Sequence, residues 1–258
     1  MEKKRQIAAV LILLALIGVI AYRHSTGKDL EKYEASFFDV FDTQTQIIGY
    51  ASSKEQFSEQ MSLIKDKFQY YNDLYDIYHD YEGMNNIKTI NDNAGIQPVK
   101  VDEEIIELLK LGITMDEKTD GNMNIAMGSV LSIWHDYREA GSEDPYSAEL
   151  PPMDELERAA EHTDIHDIVI DEEASTVYLT DPDMSLDVGS IGKGYAVQKV
   201  AEYAKNELGI QYMLFSVGGN VCAIGGHPDG SAWAVGIQNP DVESDQAYIK
   251  KVEVQDLS

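Results

Sequence analysis

Between Ser53 and Leu74 the apolar residues Phe57, Met61, Ile64 and Phe68 recur at spacings of three and four, which predicts an amphipathic helix with one face on a core. Residues 101–111 (VDEEIIELLKL) repeat the pattern: Asp102 stands at the start, acidic residues fill the first turn, and Ile105, Leu108 and Leu109 form the stripe. Gly112 and Gly121 bracket a segment leading to a second apolar stretch, 125–134, and residues 153–161 predict a short helix after the acidic, weakly patterned region around Pro145, Pro151 and Pro152. Period-two patterns and β-branched residues predict a strand over 37–50 and a hairpin from 167–171 and 176–180 around the polar turn 172–175. Between 76 and 97 the composition turns to Asn, Asp, Gly and Tyr, which predicts a long loop.

The amino terminus breaks this alternation. Lys3, Lys4 and Arg5 precede an unbroken apolar run, 7–22, that ends at Arg23 and His24. A basic flank before such a run predicts a membrane anchor or signal segment over 1–24, with the rest of the chain on the extracytoplasmic side. The run is slightly shorter than the ~20 residues of a spanning helix, and both a cleaved signal and a retained anchor fit it. The polar residues 25–36 then predict a linker, with the folded domain over 37–258.

Composition narrows the partners. With 258 residues and 43% of them hydrophobic, the chain can bury a substantial core. Its formal net charge of -26 repels a polyanion at long range, which excludes nucleic acid as a partner. A small phosphorylated ligand held by backbone N–H groups and a divalent cation remains compatible with that charge. Cys222 is the only cysteine, so an internal disulfide and a cysteine zinc site are excluded, and its apolar surroundings predict a core thiol.

Candidate chemistry concentrates in 184–200 (MSLDVGSIGKGYAVQKV): a short strand, then Gly189, Gly192 and Gly194, then an amphipathic helix to Leu208. Strand, glycine turn and helix start bring free N–H groups and the positive end of a helix dipole to one point, an arrangement suited to an anion. The spacing is neither the dinucleotide fingerprint nor the P-loop, and a tight strand-to-helix turn fits it equally well. Residues 215–226 (FSVGGNVCAIGG) predict two short strands joined at Gly218, Gly219 and Asn220, either as a plain hairpin or as a close approach to a ligand.

Taken together these segments resemble the FAD:protein FMN transferase family, the ApbE-type flavin transferases. The pattern D-[LV]-G-x-I-[AG]-K-G-Y-A matches Asp187 to Ala196, and a glycine-glycine element followed by W-x-V-G-I-x-x-P matches Ser216 to Asn220 and Trp233 to Pro240. A T-x-G-x-x-[DN]-[IP] element running to a tryptophan matches Thr119 to Trp134, and Ile87 to Asn91 stands where the family has a loop ending in L-N or I-N. The resemblance implies an α+β fold of two subdomains with FAD in the cleft between them, magnesium on the diphosphate, and transfer of FMN to a Thr or Ser hydroxyl of an exported or membrane redox protein with release of AMP.

Carried over by position, the resemblance places Asp187 and Lys193 on the FAD, Ser190 and the Gly192 carbonyl on the Mg2+, Phe41 near the flavin, and Asn124, Ala126 and Met127 in the nucleotide-contacting segment. Gln198 departs from an acidic residue common in relatives. The family's later elements, a T-S-G-x-Y-type strand and H-x-x-D-P-x-T-G with the Asp and Thr that complete the metal shell, correspond to positions beyond Ser258. A flavin-binding module without catalysis and an FAD pyrophosphatase, with water as the acceptor, are the competing readings.

Overall fold

Backbone geometry begins with a hairpin in the computed structural model, which describes residues 30–256. Strands β1 (Glu31–Val40) and β2 (Thr43–Ala51) pair antiparallel, with Ala35 opposite Ile47. The strand therefore starts inside the stretch expected to be a linker: Tyr33, Ala35 and Phe37 turn inward while Glu34 and Ser36 face solvent, so a polar outer face made an edge strand read as a stalk. What reads as one strand over 37–50 is broken at Phe41 and Asp42, whose φ values of 54° and 47° close the hairpin. The predicted anchor over 1–24 lies outside the described residues; no helix among those described is long and apolar enough to cross a membrane.

Helix α1 (Lys54–Tyr75) starts where the Ser53 side chain accepts a hydrogen bond from the Gln56 N–H, and its buried face carries Phe57, Ile64, Phe68, Tyr71, Leu74 and Tyr75. Phe68 lies across the sheet with its ring 6.2 Å from that of Phe215. Each such ring taken from water contributes about 2–3 kcal/mol. Strands β6 (Met213–Val217) and β7 (Asn220–Ile224) complete an antiparallel sheet in the order β1-β2-β6-β7, with Ile47 opposite Phe215. Their turn needs the expected glycines: Gly218 and Gly219 have φ of 53° and 92°, and a Cβ on Gly218 would stand 2.5 Å from Thr43 Oγ1.

The long segment 76–97 contains a helix that composition hid. Helix α2 (Ile87–Asp92) is opened by a capping box in which Asn86 and Thr89 bond each other's backbone, a short motif built on a Thr instead of the usual Glu or Gln. Strand β3 (Val99–Lys100) leads to α3 (Glu103–Lys118), capped by Asp102 as expected and continuing through Gly112. Helix α4 (Gly128–Glu143) takes up the second apolar stretch, and α5 (Met153–Ala160) and the hairpin of β4 (Ile168–Asp171) and β5 (Thr176–Leu179) match their patterns. A second antiparallel sheet runs β3-β5-β4, and β8 (Trp233–Gln238) pairs β9 (Tyr248–Val254) in a separate ribbon.

The fold is thus α+β, and the buried side chains of the two larger sheets merge into one core, with Ile47 and Phe215 in the same cluster as Val177 and Leu179. Cys222 belongs to this core, where burial pushes its thiol up to about 11. One segment departs from its pattern. Residues 184–188 run without a strand partner; Ser185 and Asp187 bond the backbone of Gly128, at the start of α4, and of Ile125, and Leu186 bonds a side chain. Helix α6 (Gly192–Asn206) follows and ends two residues before Leu208.

Candidate functional site

Asn91, the last residue but one of α2, decides where the 184–188 segment lies. Its Nδ2 donates to the Leu186 carbonyl at 3.0 Å and its Oδ1 accepts from the Leu186 N–H at 2.7 Å, a two-point clasp across 95 residues of sequence. On the other side Gly128 donates to the Ser185 carbonyl at 3.0 Å, an approach that leaves no room for a Cβ, which would stand 2.6 Å from that oxygen. The clasp holds Asp187 at the rim of a cleft made of two adjoining cavities of about 400 and 370 Å³.

The larger cavity gathers Phe41 from the β1–β2 turn, Asn72 and Tyr75 from the end of α1, the 76–81 turn, and Asp187, Gly192 and Lys193 from the glycine loop and the start of α6. The second lies along α4 and is lined by Gly128, Leu131, Ser132, Asp136 and Glu139. Ile77, Tyr78, His135 and Asp187 line both and form the waist between them.

Of the residues expected at the site, Phe41, Asp187, Gly192 and Lys193 therefore face one cavity although they come from distant parts of the chain. Phe41 is fixed by its own N–H, which donates to Asn72 Oδ1 at 2.7 Å, and it holds a left-handed backbone that bulky residues rarely adopt. Asp187 both caps the loop, accepting from the Gly189 N–H at 2.8 Å, and lines the cleft. Ser190 is exposed on the same loop. No side chain caps α6, and the N–H groups of Lys193 and Gly194 make no hydrogen bond to another described group, so they remain open to a ligand.

Asn124, Ala126 and Met127 stand one step back. Asn124 spends its side chain on the Thr163 carbonyl and the Ala126 N–H, Ala126 is fully buried, and Met127 precedes α4; none lines either cavity, and the next residue, Gly128, is the one that does. Sequence reading missed Tyr75, Asp76, Tyr78 and His135. The first three lie at or just beyond the end of α1, where Tyr and Asp read as turn and core residues, and His135 follows Trp134 on a helix with no motif of its own.

Asp76 anchors the turn below the waist. It accepts from the N–H groups of Tyr78 and His79 at 2.6 and 3.3 Å, from His79 Nδ1 at 2.9 Å and from the Tyr81 hydroxyl at 2.7 Å. Burial pushes its carboxyl up, but these donors together outweigh burial and hold it below the usual carboxylate range. Burial pushes the Tyr78 phenol up, and the nearby Asp187 carboxylate adds to that. Tyr75 lies against Gly192 with its hydroxyl buried and unpartnered among the described residues, and burial raises its pKa further.

A family model described as the ApbE family matches residues 41–258. The chain belongs to the ApbE family. It is 25% identical over 210 residues to a FAD:protein FMN transferase of Klebsiella pneumoniae, covering 81% of this chain and 62% of that protein. It is 26% identical over 180 residues to one of Escherichia coli, covering 69% of this chain and 50% of the relative. Two solved structures share the fold: an ApbE protein of Thermotoga maritima (TM-score 0.72, 23% identity, 88% of this chain and 68% of that one) and the flavin transferase ApbE of Vibrio cholerae (TM-score 0.67, 20% identity, 87% and 68%). The chain thus spans about half to three-fifths of the length of these two curated ApbE relatives.

For the magnesium that the resemblance implies, the loop offers the Ser190 hydroxyl and the Asp187 carboxylate, and the first residue of α6 offers the Gly192 carbonyl. Hydroxyl, carbonyl and carboxylate oxygens suit a hard cation, and such an ion takes its remaining positions from phosphate oxygens and water. Among the described residues, the one group of three His and acid side chains close enough to share an ion lies elsewhere: His162, Asp181 and Asp183, with ligand atoms within 4.8 Å of one another.

Proposed function

We propose that this chain binds FAD along its two-cavity cleft and transfers FMN to a Thr or Ser hydroxyl of a partner protein. The observation that carries the reading is the convergence of Phe41, Asp187, Gly192 and Lys193 on one cavity beside the uncapped start of α6. Membership of a family whose relatives are named FAD:protein FMN transferases supplies the chemistry to test there.

In the proposed reaction the acceptor oxygen forms a new bond to the FMN phosphorus as the bond from that phosphorus to the AMP phosphate oxygen breaks. The hydroxyl proton leaves with solvent and AMP departs. Charge on the diphosphate is the main obstacle, and the open N–H groups of Lys193 and Gly194 together with the Lys193 ammonium are the protein's own means of stabilising it. Ser190 and Gly192 would hold Mg2+ with the substrate phosphates, and the ion supplies further charge neutralisation there. The Phe41 ring offers an apolar surface to the isoalloxazine. The same reading puts the domain outside the cytoplasm, tethered at the membrane by residues 1–24, and the acceptor among exported or membrane-bound redox proteins.

Incubating the protein with FAD, Mg2+ and a threonine-containing acceptor peptide, and weighing the peptide, tests the reading. A mass gain of one FMN with stoichiometric AMP supports it. Free FMN without labelled peptide makes the protein an FAD pyrophosphatase, and FAD binding with no turnover makes it a flavin-binding module.

A further inference from the structure

The waist of the cleft carries a hydrogen-bonded trio that neither the glycine loop nor the family motifs include. Tyr78 Oη lies 2.8 Å from His135 Nε2 and 3.2 Å from Nδ1, and an Arg138 guanidinium nitrogen lies 2.5 Å from Nε2. A guanidinium only donates, so Nε2 is the accepting nitrogen and Nδ1 of the neutral ring carries the proton. His135 and Arg138 sit three residues apart on α4, on one face of the helix, so the arginine braces the ring from its own helix.

A ligand occupying both cavities must pass Ile77, Tyr78, His135 and Asp187, which line both. Ile77 offers no polar group and the Asp187 carboxylate repels a phosphate. Only Tyr78 and His135 can donate. The α4 cavity sharpens the contrast: it carries Asp136, Glu139 and Asp187 and no Lys or Arg among its described lining residues, so the ring N–H of His135 is what its wall can offer a phosphate. Across the waist the counterpart is Lys193.

Resting on the reading that the ligand is FAD, we infer that His135 contacts the phosphate bridge of the dinucleotide from the α4 side, with Arg138 as a positioning residue that orients the ring. The nucleoside ends, which carry hydroxyl and amino donors but no charge, then lie on either side of the bridge, and one of them meets the carboxylates of Asp136 and Glu139.

The test is FAD binding, followed by flavin fluorescence, to the wild type, His135→Ala, Arg138→Met and the double variant, with the unliganded unfolding temperature of each. His135→Ala is expected to weaken FAD about tenfold, the scale of one hydrogen bond to a charged group. Its unfolding temperature should stay within about 3 °C of wild type, the shift that ~1 kcal/mol makes in a protein of this size. Arg138→Met should weaken FAD about threefold alone and add nothing to His135→Ala, because the arginine acts through the ring. FAD affinity within twofold of wild type in His135→Ala, or additive losses in the double variant, would overturn the inference while leaving the proposed function intact. A wild-type protein that does not bind FAD overturns both.

Discussion

Asp76 accepts from four donors in a six-residue stretch and thereby sets the path of the chain from α1 to the waist of the cleft. Its side chain is 11% exposed, so the carboxylate itself has little water to fall back on. Asp76→Asn is expected to cost about 1–3 kcal/mol near neutral pH, read as a lower urea midpoint. The pH dependence follows from the direction of the shift. The folded-state carboxyl titrates below its ordinary 3.8, so its contribution is complete above that value and is lost as pH falls through the lower, folded value. Wild type and Asp76→Asn should therefore converge in stability as the pH is lowered toward about 2. A gap that stays constant down to that pH would show that the carboxylate charge is not what holds the turn.

At the scale of elements, α6 packs on α1 and β7 and is tied to α3 by charge. Lys199 reaches Glu104 at 3.0 Å and Glu107 at 2.9 Å, and Tyr195 donates to Glu107 at 2.9 Å. Burial pulls the Lys199 ammonium down, but Glu107 and Glu104 prevail and hold it above its usual value. The Lys199 and Glu104 side chains are each 22% exposed, so the pair is shielded without being sealed. Lys199→Met is expected to destabilise by about 2 kcal/mol, under the 3–5 of a fully buried pair, because Glu104 loses its cation but keeps the Tyr71 hydroxyl. Since Gly192 and Lys193 open the same helix, the variant should also bind FAD more weakly. Urea unfolding and flavin fluorescence on one preparation check both; unchanged values would mean that apolar packing alone seats α6.

Over the whole molecule a net charge of -26 faces an anionic dinucleotide. The cleft repeats the imbalance, with Asp42, Asp76, Asp136, Glu139 and Asp187 against the ammonium of Lys193. Without a divalent cation, raising the salt concentration should strengthen FAD binding, because screening removes repulsion instead of attraction. With saturating Mg2+ that dependence should flatten. Titrations at low and high salt, with and without Mg2+, measure it, and affinity falling with salt in both series would show that local cations outweigh the global charge.

The amino-acid order by itself determined the helices α1 and α3, the β4–β5 hairpin, the glycine turn between β6 and β7, and the start of α6, since periodicity, caps and glycine act within a few residues. It also marked Asp187, Gly192 and Lys193 through the motif resembling the ApbE family's, and Phe41 by its position in that resemblance. Tertiary structure decided the rest. The Asn91 clasp on Leu186, the meeting of Tyr78 with His135 and the retreat of Asn124, Ala126 and Met127 behind the cleft all depend on contacts between segments tens of residues apart. An edge strand with a polar outer face and a six-residue helix opened by Thr89 carry too little local pattern to stand out. Their form is fixed by the sheet and the loop they complete, and no short stretch of sequence contains those partners.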